Sequence, residues 1–225
     1  MRRIRRSTLA LSMALLAATT VDAAAQGMTA TRRIRGNDAR GKYDVAWVRL
    51  TERFPNAAVR ARVNRDLERE ARSHICEPGD GRNLEAEFSM EVSYRSARLL
   101  GVSTFEFVYC GGAYPNHGTR GLMYDLRTGR RIEVEQEVAD SAAFARFRNR
   151  RVEAARPADA EDCPHVEPGY FQSYIYILKP GNLSVTQDFP NMIKACAYET
   201  LIPHADLIRY LKPASPLHAL VARRR

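Results

Sequence analysis

Two strand-like segments followed by a pair of glycines most constrain how this chain folds. Residues 84–94 alternate apolar and polar side chains, which is the period of a half-buried strand. Residues 99–109 have similar β-forming character and follow after a short turn. Gly111 and Gly112 then interrupt the second segment. The centre of the chain is therefore predicted to form an antiparallel pair of strands that ends at a glycine-rich break.

The chain after this break predicts a hairpin and then a second group of strands. Residues 118–126 and 131–138 are predicted strands around Gly129, which supplies the positive φ that a tight turn requires. The later segments with strand character are residues 171–178, 183–186 and 195–202, with a short helix expected from Pro203 onward.

An amphipathic helix of about five turns is predicted ahead of these strands. Asn56 suits its N-cap, and apolar residues then recur at every fourth position among arginines and glutamates. These apolar residues are Val59, Val63, Leu67, Ala71 and Ile75. Because strands and helices do not alternate as regular β-α-β units, we predict an α+β fold. Its sheets are mainly antiparallel, with a long N-terminal helix and short C-terminal helices.

Residues 1–25 have the three parts of a secretory signal peptide. A basic start precedes a short apolar core, and small residues ending in Ala23-Ala24-Ala25 follow it. The apolar core is shorter than the roughly 20 residues that a transmembrane helix needs. We therefore expect cleavage after Ala25 or Ala23, a periplasmic or secreted location and no stable membrane span after cleavage. An uncleaved anchor is the alternative.

Four cysteines follow the predicted signal peptide, namely Cys76, Cys110, Cys163 and Cys196. An even number of cysteines in an exported chain indicates disulfides. We favour the pairs Cys76–Cys110 and Cys163–Cys196, because each closes a loop within one half of the chain. A metal site is the alternative, but the chain has no Cys-x-x-Cys pair and its histidines are scattered.

The chain is basic even without the predicted signal peptide. Its formal charge is +9, and residues 1–26 contain four arginines and one aspartate, so the remainder keeps +6. A basic exported protein favours anionic surfaces such as cell-wall polymer or lipid headgroups. The alternative is that arginine simply covers the solvated surface. Nucleic acid is not an expected partner, because export separates the protein from it.

The sequence contains no recognisable catalytic motif. A Gly-x-Ser-x-Gly nucleophile elbow and the common phosphate-binding glycine loops are absent. No two histidines have the i, i+4 spacing of a helical zinc pair. We therefore predict no catalytic residue, no metal site and no cofactor.

The candidate ligand-binding residues are Tyr114, Asn116 and His117, which follow the glycine break on a predicted exposed loop. The alternative is an ordinary polar loop. Glu85, Glu87 and Glu91 share one face of the preceding strand. Paired carboxylates catalyse glycoside hydrolysis, although a solvated strand face is the commoner role of such residues.

Four short motifs occur in an order that is typical of one family. They are Gly111-Gly112-Ala113-Tyr114-Pro115-Asn116, Asp125-Leu126-Arg127-Thr128-Gly129-Arg130, Lys179-Pro180-Gly181-Asn182-Leu183 and Ile202-Pro203-His204-Ala205-Asp206-Leu207. Together they resemble the RsiV-like extracellular domain family, named after a lysozyme-sensing anti-sigma factor. The same domain type occurs in exported bacterial proteins of unknown function and beside some polysaccharide deacetylase domains. This chain departs from the family at Tyr114, where the family motif has histidine.

The resemblance implies two intimately packed subdomains in a protein of the bacterial envelope. A small α+β subdomain is expected over residues 26–98, an RsiV-like domain over 99–213 and a basic tail over 214–225. The implied role is non-enzymatic binding of a lysozyme-type protein or peptidoglycan. The alternative is a cell-envelope hydrolase that acts on wall polymer or an ester, with a site near Asn116, His117 and the acidic residues of the preceding strand.

Overall fold

The protein has a mixed α+β fold made mostly of strands with a few short helices. The computed structural model describes residues 27–78, 84–158, 163, 173–190 and 196–221. The predicted signal peptide and the last four residues of the predicted tail lie outside the described residues. None of the described helices is long and apolar enough to cross a membrane.

The first half of the described chain forms a six-stranded sheet and one helix. Its elements are β1 (Thr29–Asp38), β2 (Gly41–Leu50), α1 (Ala57–Arg72), β3 (Glu85–Arg95), β4 (Leu99–Tyr109), β5 (Asn116–Asp125) and β6 (Arg130–Arg131). The strands follow one another in sequence order across the sheet. Neighbours are antiparallel except β2 and β3, which are parallel. The parallel pair arises because α1 connects its two strands, as a crossover connection must.

The second half forms a three-stranded antiparallel sheet, β7-β8-β9, with short helices around it. Its elements are α2 (Val134–Glu137), α3 (Ser141–Ala154), β7 (Ser173–Lys179), β8 (Asn182–Asp188), β9 (Thr200–Pro203) and α4 (His204–Leu207). Two 3-10 helices follow at Ile208–Tyr210 and Pro216–Leu220.

The strand predicted over residues 131–138 is wrong after Arg131. Strand β6 has two residues, and the chain then turns into helix α2. Val134 and Val138 are buried, whereas Glu135 and Gln136 between them are exposed. That spacing of four residues is the period of a helical turn, so burial selects a helix where residue types alone suggested a strand.

Helix α1 forms where the apolar spacing predicts it, but it is shorter. The Asn56 side chain accepts a hydrogen bond from the Val59 amide at 3.0 Å and so caps the helix. The predicted stripe is buried, and its members within the helix are Val59, Val63, Leu67 and Ala71. The helix ends at Arg72, so Ile75 and Cys76 lie beyond it.

Both disulfides link residues within one half of the chain. The structure joins Cys76 to Cys110 with a Cα–Cα distance of 5.2 Å, and Cys163 to Cys196 with 5.4 Å. This is the pairing that the sequence favoured. The first bond attaches the end of β4 to the segment after α1, and a loop of this length stabilises a fold by about 3–4 kcal/mol in the chain-entropy model.

Two hydrophobic cores lie on opposite faces of the six-stranded sheet. Leu100 and Leu122 belong to the core under α1, whereas their neighbours Leu99 and Met123 belong to the core shared with the second sheet. Successive strand residues point to opposite faces, so β4 and β5 are buried on both sides here. The subdomain boundary predicted at residues 98 and 99 falls in the β3–β4 turn, and those two strands pair with each other.

Strand β7 crosses the six-stranded sheet at a glycine. A Cβ atom added at Gly121 would lie 1.8 Å from the backbone oxygen of Tyr176, and one added at Gly101 would lie 2.9 Å from the Leu178 Cβ. Glycine at residue 121 is therefore required for the two sheets to approach this closely.

We predict that Gly121→Ala destabilises the protein by roughly 2–3 kcal/mol, because the methyl group must displace backbone rather than a flexible side chain. Urea denaturation measures this change. Thr119→Ala is the matched control, since Thr119 is exposed two residues earlier on the same strand, and its effect should stay within about 0.5 kcal/mol. Equal effects of the two substitutions would contradict the close packing at residue 121.

His204 is a buried histidine in the second core. Its ring lies edge-on to Tyr94 with 5.9 Å between centroids, and its Nε2 has no hydrogen-bond partner among the described residues. Burial lowers the pKa of His204 below its ordinary value of 6.5. The unfolded chain therefore binds a proton more readily than the native protein, so stability is present above about pH 6.5 and falls as the pH drops below it.

The expected result is a larger loss of unfolding free energy between pH 7.5 and pH 5.5 in the wild type than in His204→Leu, which cannot titrate. Urea denaturation at several pH values gives the two slopes. Parallel slopes would show that His204 does not contribute to the pH dependence.

Candidate functional site

The predicted site residues lie on the loop between β4 and β5. Gly111 and Gly112 adopt φ values of 96° and 99°, which other residues rarely adopt. The Tyr109 hydroxyl donates a hydrogen bond of 3.0 Å to the Gly112 carbonyl. Cys110 is held by its disulfide to Cys76. The glycines therefore break strand β4, and the loop is fastened to the segment after α1.

The three candidate residues stand at the surface. Tyr114 is 78% exposed, so its ring is not enclosed by a pocket. Asn116 and His117 are exposed and begin β5, where they pair with Val108 and Phe107 of β4. Because successive strand residues point to opposite faces, His117 faces the side of the sheet that carries Gly101, and Asn116 faces the other side. The structure therefore does not bring these two side chains together on one face.

A further aromatic residue, Phe105, lies on the same face of the sheet as His117. It is 46% exposed and pairs with Thr119, two residues from His117 along β5. By strand alternation Phe105 faces the same side as Gly101, where β7 packs, but β7 does not extend over it. We call the group Phe105, Tyr114 and His117 the β4–β5 surface. Asn116 precedes His117 on β5 and points to the opposite face of the sheet.

Sequence reasoning missed Phe105, because an apolar residue in an alternating strand is normally buried. The sequence contains one indication, which is that Phe105 shares a strand face with Gly101. A glycine in a strand often marks a place where another backbone approaches closely. The strand pattern does not show how much of that face the second sheet covers.

The carboxylates considered for hydrolysis lie on β3, two strands away from His117. Glu85, Glu87 and Glu91 are exposed along β3, and Glu85 pairs with Lys42 at 3.1 Å. Glu87 lies opposite Phe107, which lies opposite His117. Two strand spacings, or about 10 Å, therefore separate the backbones of Glu87 and His117.

A buried ionisable pair lies on the other face of the sheet. His74 Nδ1 is 2.9 Å from the Glu106 carboxylate, and its ring stacks on Phe88 with 4.2 Å between centroids. Glu106 is 4% exposed. Because Phe88 belongs to the core under α1, this pair faces the helix rather than the β4–β5 surface. Within the described residues, no group of three His, Cys, Asp or Glu side chains is placed to hold a metal ion.

Comparison with known proteins identifies a fold. A DUF3298 family protein from Pseudomonas aeruginosa PAO1 matches with a TM-score of 0.55 and 15% sequence identity, over 84% of this chain and 95% of that chain. A DUF3298 family member from Bacteroides fragilis NCTC 9343 matches with a TM-score of 0.63 and 12% identity, over 88% of this chain and 99% of that chain. No protein-family model and no curated protein match the sequence. The chain therefore shares the fold of proteins that are described as a domain of unknown function.

We predict that Tyr114→Ala leaves the unfolding free energy within about 0.5 kcal/mol of the wild type, because the ring contributes little to the core. Tyr124→Ala should instead cost roughly 3–5 kcal/mol, since Tyr124 is fully buried and its hydroxyl donates to Asp66 at 2.8 Å. Chemical denaturation distinguishes the two cases. A large loss in Tyr114→Ala would mean that the ring is structural.

Proposed function

We propose that this protein is a non-enzymatic binding domain of the bacterial cell envelope, and that the β4–β5 surface binds a glycan of the cell wall. The observation that carries this proposal is the exposure of two aromatic rings, Phe105 and Tyr114, on the strand pair and loop that also carry the exposed His117. Most large apolar side chains of the described chain are buried in the two cores, so exposed rings next to polar groups indicate a recognition surface.

The chemistry of this surface suits a sugar polymer. Aromatic rings offer flat apolar faces against which the C–H side of a sugar ring packs, and the imidazole nitrogens of His117 form hydrogen bonds with hydroxyl groups. An open surface accommodates a chain that continues on both sides, whereas a closed pocket would not.

The envelope location rests on separate observations. The two disulfides suggest an oxidising environment. Residues 1–25 have the pattern of a secretory signal peptide. The similarity to DUF3298 structures is compatible with the resemblance to the RsiV-like family, whose members are exported.

A sedimentation assay with purified insoluble peptidoglycan tests the proposal. We expect the Phe105→Ala/Tyr114→Ala double variant to bind at least about tenfold more weakly than the wild type, which corresponds to 1.4 kcal/mol. Leu201→Ala is the matched control, because Leu201 is 48% exposed on β9 outside this surface. The absence of binding by the wild type, or equal binding by the double variant, would refute the glycan proposal.

A lysozyme-type protein is the second candidate partner. The family resemblance motivates it, and an exposed tyrosine at a loop tip is a typical anchor of a protein interface. Calorimetric titration with a lysozyme-type muramidase distinguishes the two candidate partners. Binding to the muramidase, together with no binding to peptidoglycan in the sedimentation assay, favours the protein partner. Turnover of wall polymer or an ester that His117→Ala abolishes would instead support a hydrolase.

A further inference from the structure

An open cleft of about 810 Å³ lies far from the β4–β5 surface. Its walls come from α1, the β5–β6 hairpin and the segment before the last 3-10 helix. Asp125, which lines the cleft, and Asn116 are at opposite ends of the ten-residue strand β5, so about 30 Å of extended chain separates them. The arginines that line the cleft are Arg62, Arg65, Arg69, Arg98, Arg130 and Arg131.

Three of these arginines form a stripe on helix α1. Arg62, Arg65 and Arg69 are spaced by three and four residues, so they lie on one side of the helix. Arg69 forms an ion pair with Asp66. Arg62 donates to the backbone carbonyl of Thr128 at 3.0 Å, and no carboxylate among the described residues pairs with it. No residue of the described part of the chain pairs with Arg65.

The opposite wall supplies the other three arginines. Arg130 donates to Glu137 at 2.5 Å, and Arg131 lies 3.1 Å from Glu70. Arg98 Nε is 3.5 Å from the Asp125 carboxylate, but this buried nitrogen has no hydrogen-bond partner among the described residues. These contacts hold the guanidinium groups in place at the edge of the cleft.

The hairpin turn rests directly on the helix, which fixes the distance between the walls. Gly129 has a φ of 71°, and a Cβ atom added there would lie 3.1 Å from Arg62 Cδ and 3.4 Å from the Val59 carbonyl oxygen. The bond from Arg62 to the Thr128 carbonyl joins the same two elements. The cleft is therefore built by tertiary packing and is not simply the solvated face of one helix.

The lining has more positive than negative charge. Among the described residues, the lining carboxylates are Asp66, Asp125 and Glu133, against six arginines. Asp66 accepts the Tyr124 hydroxyl at 2.8 Å, and burial raises the pKa of that hydroxyl, which remains protonated. Asp125 accepts the Arg127 amide and the Thr128 hydroxyl within its own turn. Each of these carboxylates also pairs with one lining arginine, Asp66 with Arg69, Asp125 with Arg98, and Glu133 with Arg131 at 3.0 Å. Three of the six arginines are thus offset within the lining, and an excess of positive charge remains.

We propose that this arginine cleft binds a ligand that carries several phosphoryl groups. Guanidinium groups bind phosphate oxygens by paired hydrogen bonds, and one phosphoryl group offers several strong acceptors. The cleft volume lies within the range of ligand pockets. Arg62 and Arg65 have no carboxylate partner among the described residues, and the four paired arginines keep further N–H donors beyond those used in their ion pairs. This site is independent of the glycan proposal, since it uses none of the residues of the β4–β5 surface.

Calorimetric titration of the purified protein with inorganic tripolyphosphate tests the proposal. We expect binding that weakens with added salt, as ion pairing requires. The Arg62→Gln/Arg65→Gln double variant should bind at least about tenfold more weakly, because two guanidinium groups leave the cleft. Arg65→Gln alone removes a side chain that has no partner among the described residues, so its effect cannot be attributed to misfolding.

The matched control is Arg146→Gln/Arg150→Gln, which removes the same charge from exposed positions of helix α3 outside the cleft. Its affinity for tripolyphosphate should stay within about twofold of the wild type. Equal weakening by both double variants would show that net charge alone attracts the anion and would overturn the proposal. The absence of binding by the wild type would overturn it as well.

Two further probes identify the source of the phosphoryl groups. Vesicles of anionic phospholipid, compared with vesicles of zwitterionic phospholipid, test a membrane source. A soluble phosphodiester-linked polyol polymer tests a wall polymer.

The cleft variants also distinguish this proposal from the glycan proposal. We expect them to lose tripolyphosphate binding while their binding to peptidoglycan stays unchanged. Loss of peptidoglycan binding in Phe105→Ala/Tyr114→Ala, with tripolyphosphate binding unchanged, separates the two proposals.

Discussion

The close contact between strand β7 and the six-stranded sheet is the constraint on which the rest of the structure depends. The Tyr176 carbonyl occupies the space where a side chain of residue 121 would lie. This contact places the second sheet on one face of β4 and β5 while α1 covers the other. Both strands are consequently buried on two sides. Apolar side chains on both faces of one sheet are removed from water, which stabilises the fold.

The extent of that contact also determines which surfaces are open. The second sheet covers the face near Leu99 and Met123 and leaves the face near Phe105 exposed. At the other end of β5, the hairpin closes on α1 through Gly129, and a charged cleft remains between them. A single strand thus connects an aromatic surface at one end with an arginine cleft at the other.

Local patterns predicted the elements well where one force dominates. The α1 stripe and the β3–β4 hairpin follow from side-chain period, and the Asn56 cap follows from the chemistry of helix ends. The prediction was wrong at residues 134–137, where the same residue types suit a strand or a helix and only burial against the second core decides. The parallel pairing of β2 and β3 was also not visible, because it depends on where α1 returns the chain.

By itself, the sequence determined the α+β class, the helix with its cap, the strand break at Gly111 and Gly112, and an even set of cysteines suited to an exported chain. These are local properties, since each depends on residues that are close together along the chain. The tertiary structure alone decided that Phe105 is exposed and that arginines as far apart as Arg62 and Arg131 line one cleft. The physical reason is that exposure and charge convergence depend on which distant elements pack together, and no period or spacing in the chain records that packing.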